Sequence, residues 1–123
     1  MKKIENYING KISNSDSNKY LAVDDPSTGE TTSEVIISNA NDFEKTVISS
    51  INGFNIWSQV TPLKRSRIIS KYKEFIEKDL DNIAKLVSSE HGKTLEDAKG
   101  SVIRGLEVVE FACGIPHLLK GEF

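Results

Sequence analysis

The pattern of apolar and polar positions changes at Asn39. Before it, apolar residues fall in short clusters separated by turn-forming residues; after it, they recur at spacings of three and four. The first pattern predicts strands and the second predicts one face of a helix. Tyr7, Ile8 and Ile12 flank Asn9-Gly10, a pair able to take the positive φ angles of a tight turn, so residues 5–13 predict a short strand or hairpin. The polar run 14–19 reads as a surface loop. Residues 20–23 predict a second strand, ended by Asp25-Pro26-Ser27-Thr28-Gly29, where proline fixes the first turn angle and glycine closes the turn. Residues 33–38, β-branched at Val35, Ile36 and Ile37, predict a third.

Asn39 is placed to cap a first helix, with Asp42 reaching back as its capping-box partner. Ala40, Phe43, Val47, Ile51 and Phe54 then form one stripe, expected to be buried, and the helix is expected to fray near Trp57. Thr61-Pro62 restarts it: threonine caps, and proline sits where its missing N–H costs nothing. Ile68, Tyr72, Phe75, Ile76, Leu80, Ile83, Ala84 and Val87 make the next stripe. A break is expected near Asp79, which would cap a continuation ending at Gly92. Thr94 caps the last long helix, with Asp97 as box partner and Ala98, Val102, Leu106 and Val109 facing inward. Pro116 predicts a break near Gly114, followed by a short apolar turn at Leu118-Leu119.

The predicted fold class is α+β, with three short strands followed by three to four helices. So few strands leave edges unpaired and cannot cover three amphipathic helices, which suits a piece of a larger protein. Composition changes this picture little. The 123 residues are 37% hydrophobic and 28% charged, an ordinary globular balance. A net charge of -2 gives no electrostatic reason to expect nucleic acid or an acidic membrane surface. No apolar run approaches the roughly 18 residues of a membrane span. The start, MKKIENYING, lacks the apolar run of a secretory signal, and the single cysteine cannot form an intrachain disulfide. The cytoplasm is the expected location.

The catalytic inventory is thin. There is no GxGxxG after a strand, no phosphate-binding loop, no GxSxG and no metal-spaced Cys/His cluster. His91 and His117 are isolated. Cys113 reads as a small buried residue, Trp57 as core or interface packing, and Lys64-Arg65-Ser66-Arg67 as a solvated or interfacial face. No catalytic, cofactor-binding or metal-ligating residue is assigned. Glu90-His91-Gly92-Lys93 reads as a turn with glycine in a left-handed cap. Arg104 stands apart because Gly100 lies one turn before it and Gly105 directly after. Each glycine costs a helix about 1 kcal/mol relative to alanine, so the pair suggests close approach by something. Either another helix packs there and Arg104 pairs with Glu107 or Asp97, or Arg104 presents its fork to a ligand carboxylate.

The order YINGK, DPSTGE, FNIWS, PLKRSRI and EHGK resembles the amino-terminal region of the aldehyde dehydrogenase superfamily. The later run GSVIRGLEVVEFACGIPHLLKGE resembles one branch of it, the CoA-acylating methylmalonate-semialdehyde dehydrogenases. The resemblance implies part of an α/β fold with a Rossmann-type NAD-binding domain. Residues 1–38 would supply strands of the oligomerisation sheet and 39–123 helices flanking the NAD-binding domain, the catalytic domain being absent. It implies a homo-oligomer, dimer or tetramer, that converts malonate or methylmalonate semialdehyde with NAD and CoA to acetyl-CoA or propionyl-CoA and carbon dioxide. Valine, thymine or inositol breakdown would be the setting. By the same resemblance Arg104, in IRGLE, is the substrate-binding arginine that holds the carboxylate. The catalytic cysteine, the oxyanion-hole asparagine and the glycine-rich NAD contacts match nothing here, so this chain alone is expected to be inactive, with no cofactor bound. Two other readings stay open: a stand-alone assembly or regulatory module pairing with a complete dehydrogenase, and a branch that does not use CoA.

Overall fold

The computed structural model describes residues 1–122. The chain divides into two compact units, Met1–Gln59 and Val60–Phe123. The first holds β1 (Lys2–Ile4), β2 (Asn6–Ile8), β3 (Lys11–Ser13), β4 (Tyr20–Asp24), β5 (Thr31–Ile36) and α1 (Ala40–Trp57). β2 and β3 form an antiparallel hairpin with Tyr7 opposite Ile12. Asn9 and Gly10 turn it with φ of 53° and 75°, the left-handed pair that matches strand twist. The other sheet runs β1-β5-β4, with β1 parallel and β4 antiparallel to the central β5. Between β4 and β5 the Asp25 carboxylate accepts the Ser27 N–H at 2.7 Å, and Gly29, at φ 75°, donates its N–H to the Asp25 carbonyl.

The sequence reading needs two corrections here. β1 was not anticipated: Lys-Lys-Ile carries no strand pattern and becomes a strand only by pairing with β5. The third expected strand, 33–38, instead runs Thr31–Ile36, because β4 pairs back as far as Thr31.

Helix α1 starts as its sequence dictates. The Asn39 side chain accepts the Asp42 N–H at 3.1 Å, and the Asp42 carboxylate accepts the Asn39 N–H at 2.9 Å, a complete capping box. The loop 14–19 is pinned to it: Ser15 Oγ donates to Asp42, and Asp16 accepts from the side-chain amides of Asn39 and Asn41. Asp42 is 1% exposed. The expected burial of the α1 stripe fails. Phe43 is 70% and Phe54 68% exposed, Val47, Ile51 and Trp57 are exposed with them, and Asp42 is the buried residue of the helix. Within its unit nothing covers that face.

The second unit contains α2 (Pro62–Lys78), α3 (Leu80–His91), α4 (Leu95–Cys113) and the single turn α5 (Ile115–Leu118). Thr61 caps α2 with Pro62 at its first position, and Gly92 ends α3 in the left-handed conformation at φ 79°. Asp79 separates α2 from α3 but does not cap with its side chain, which instead accepts from the Asn82 amide at 2.7 Å. Thr94 caps α4, whereas Asp97 completes no box because its carboxylate is held by Lys93.

Helix α4 packs on both α2 and α3, with Ala84 of α3 and Ala98 of α4 fully buried. Asp81–Lys99 at 3.0 Å ties α3 to α4, Lys73–Glu110 at 3.3 Å ties α2 to α4, and Ser66 Oγ donates to the Cys113 carbonyl. An apolar groove of about 310 Å³ remains among Tyr72, Ile76, Ile83, Val102, Leu106 and Val109, with Gly105 in its wall. The α2 stripe is therefore only partly buried: Ile76 is sheltered, while Ile68, Tyr72 and Phe75 stay exposed.

Candidate functional site

The site is built on the outward side of α4. Residues 97, 101, 104 and 108 share one face by helical spacing, opposite Val102, Leu106 and Val109 on the packing face. Arg104 therefore points away from the α2 and α3 contacts and is exposed. Neither expected carboxylate pairs with it. Asp97 is bound to Lys93 at 2.9 Å, and no salt bridge reaches Arg104 among the described residues. Its Nη2 instead donates to Ser101 Oγ at 3.3 Å. Lys93 Nζ donates to the same oxygen at 2.8 Å, and Ser101 Oγ donates to the Asp97 carbonyl at 3.2 Å. Lys93 keeps the Asp97 carboxyl below the ordinary carboxylate range, first through that hydrogen bond and then through its charge.

The glycines beside Arg104 touch no other helix, although Gly105 borders the groove toward α2 and α3. A Cβ placed on Gly100 or Gly105 would meet nothing within 4 Å. The expected close approach is absent within the described residues, and a side chain at either glycine would have room. Sequence reasoning found Arg104 but missed Lys93 and Ser101 as its neighbours. Their spacing carried the signal, since 93, 97, 101 and 104 follow one another by four, four and three.

Other candidates do not converge on Arg104. Cys113 lies on the packing side of α4, half-buried rather than fully buried, with Sγ donating to the Val109 carbonyl at 3.3 Å. His91 and His117 are exposed and apart. In the basic run Lys64 and Arg67 are exposed, while Arg65 turns inward and donates from Nε to the Val60 carbonyl at 2.9 Å. No group of three His, Cys, Asp or Glu able to hold a metal ion occurs among the described residues.

The aldehyde dehydrogenase family model matches residues 12–123. The chain belongs to the aldehyde dehydrogenase family. A candidate methylmalonate-semialdehyde/malonate-semialdehyde dehydrogenase of the acylating type, from Dictyostelium discoideum, is 42% identical over 94% of this chain and 22% of its own length. The solved methylmalonate-semialdehyde dehydrogenase of Oceanimonas doudoroffii superposes with a TM-score of 0.95 at 37% identity, covering 99% of this chain and 25% of that one. A candidate methylmalonate-semialdehyde dehydrogenase of Sinorhizobium meliloti, solved with NAD, gives 0.96 at 36% identity, covering 100% and 25%. The chain thus spans about a quarter of the length of these relatives. Its strands and helices are part of the α/β aldehyde dehydrogenase fold.

The Sinorhizobium meliloti structure holds NAD, and the described residues here do not form a glycine-rich cradle for such a dinucleotide. Such a cradle uses a glycine-rich turn from a strand into a helix, where backbone N–H groups face the pyrophosphate. Here the positive-φ glycines serve a hairpin, the 25–29 turn and the end of α3. Helix α1, which does follow a strand, has its Asp42 N–H taken by the Asn39 side chain, and its start carries the buried Asp42 carboxylate. Arg104 remains an exposed guanidinium without a salt bridge among the described residues.

Proposed function

We propose that this chain supplies the carboxylate-holding segment of an NAD-dependent, CoA-acylating dehydrogenase acting on malonate or methylmalonate semialdehyde. The single observation that carries the reading is Arg104: an exposed guanidinium with no carboxylate partner among the described residues and open backbone on both sides. The names of the relatives support the substrate class, and the NAD complex of the Sinorhizobium meliloti protein supports the nicotinamide cofactor.

A semialdehyde carrying a second acid group needs a fixed cation to hold one end while the other reacts. Arg104 binds that carboxylate through two parallel N–H donors and so sets where the carbonyl lies. A charge-assisted hydrogen bond contributes about 1.5–3 kcal/mol net, or about ten- to a hundredfold preference over an uncharged aldehyde. The full gain requires exclusion of water, so the exposed guanidinium binds a carboxylate weakly by itself and positions a reacting carbonyl only once a cleft closes over it. The chain alone is therefore inactive toward these substrates.

The test places this chain in the matching segment of the Dictyostelium discoideum relative. Arg104→Ala lowers kcat/KM for malonate semialdehyde by about ten- to a hundredfold and leaves propanal unchanged. Arg104→Lys recovers only part, since an ammonium lacks the fork. Equal loss for both aldehydes assigns Arg104 to packing and ends the proposal. NADH formed from malonate semialdehyde, NAD and CoA by the unextended chain would overturn the claim of inactivity.

A further inference from the structure

We infer that Lys93, Asp97 and Ser101 form a positioning device for Arg104, in which Lys93 sequesters the acid on the same face of α4 and Ser101 fixes the guanidinium, leaving its remaining donors for a ligand carboxylate. The inference rests on the reading of Arg104 as a carboxylate-binding residue. It adds three residues that touch no substrate and act through the arginine.

Ser101 Oγ has one proton and two lone pairs, and every one of them is used. The proton goes to the Asp97 carbonyl at 3.2 Å; the lone pairs take Lys93 Nζ at 2.8 Å and Arg104 Nη2 at 3.3 Å. Two cations thus meet at one neutral atom. Their repulsion is offset at one side only: Asp97 Oδ2 lies 2.9 Å from Lys93 Nζ, and the lysine side chain is 17% exposed against 60% for the aspartate. The Lys93–Asp97 pair is neutral as a unit. Arg104 keeps its whole charge and, with one nitrogen engaged by Ser101, keeps the rest of its five-donor fork available.

The arrangement also prevents a competing contact. Asp97 stands two turns before Arg104 on the same face of α4, and it is the acid on that face able to swing toward the guanidinium. Held by Lys93, it does not. Without Lys93 it becomes an internal carboxylate competing with the external one. Glu107, one turn beyond Arg104, makes no salt bridge with it.

The experiment uses the 123-residue chain, malonate as the probe at constant ionic strength, and two NMR readouts: the Arg104 Nε–Hε order parameter and the malonate titration. Wild type shows an ordered Arg104 that shifts saturably with malonate, and Arg104→Ala abolishes the response. Ser101→Ala lowers the order parameter and weakens malonate binding about threefold or more, and Ser101→Thr, which keeps the hydroxyl, restores both. Lys93→Met weakens binding by a similar factor, and adding Asp97→Ala to it restores the affinity. Unchanged binding and order in Ser101→Ala and Lys93→Met, with Arg104→Ala still inactive, sinks the positioning device and leaves the proposed function standing. Failure of Asp97→Ala to rescue Lys93→Met removes the sequestering role. Absence of any Arg104 response in wild type removes the carboxylate reading itself, and the device with it.

Discussion

Gly100 and Gly105 carry a helix penalty without any contact among the described residues that requires them. A Cβ at either position meets open space, so Gly100→Ala and Gly105→Ala each stabilise the chain by about 0.5–1 kcal/mol, read from the urea midpoint. Gly92→Ala goes the other way by about 1 kcal/mol, because alanine takes a φ of 79° only with strain. Asp42 carries a pH signature. Its carboxyl is held below the ordinary range, mainly by the Ser15 hydroxyl and then by the Asn39 N–H. A depressed folded pKa contributes stability that is complete above the unfolded-chain value and lost as pH falls through the folded one. Acid unfolding monitored by circular dichroism is therefore shallower in Asp42→Asn below about pH 4, with little left to lose. These residue-scale features were largely legible in the sequence. The Asn39–Asp42 box, Thr61-Pro62, Thr94 and Gly92 all satisfy backbone groups within four residues, so local order fixes them. Asp79 and Asp97 were misread for a local reason too: Asn82 and Lys93 offer their carboxylates a side-chain donor that competes with the backbone cap.

At the scale of elements, α1 is a helix with a stripe and nothing of its own unit to press it against. Its spacing fixes which residues share a face, but not what covers that face. Phe43→Glu with Phe54→Glu leaves thermal stability within about 0.5 kcal/mol of wild type, since both rings already face water. The same pair reduces self-association, measured by light scattering, if the stripe is what joins chains. Loss of the fold in this variant would mean the stripe is covered after all. The hairpin shows the opposite balance. Tyr7 and Ile12 are both exposed, yet the turn at Asn9-Gly10 and the register hold them opposite one another without a core.

For the molecule as a whole, surface area is the informative quantity. Two compact globules of half this length would together expose about 7,900 Å² by the usual scaling, and this chain exposes 9384 Å². Exposed apolar side chains on α1, α2 and α4 contribute to that surface. Such surface binds apolar dyes and promotes association. The folded chain at neutral pH accordingly raises the fluorescence of an apolar dye, and Phe43→Glu with Phe54→Glu lowers that signal; a dark wild type would contradict the uncovered faces. No helix of the described residues is long and apolar enough to cross a membrane, so that surface is not a spanning segment. Its extent agrees with a chain that spans about a quarter of the length of its relatives.

Sequence by itself determined the helix starts and stops, the two tight turns and the periodicity of each face, because hydrogen bonds across three or four residues decide them. It also singled out Arg104 from two glycines with no propensity to be there. Burial was decided only in three dimensions. Whether a stripe is covered depends on which other element reaches it, and β1 exists only because β5 offers it an edge. The surroundings of Arg104 were settled the same way. Spacing put Lys93, Asp97, Ser101 and Arg104 within reach of one another, and the geometry of the turn entering α4 chose which of them bond.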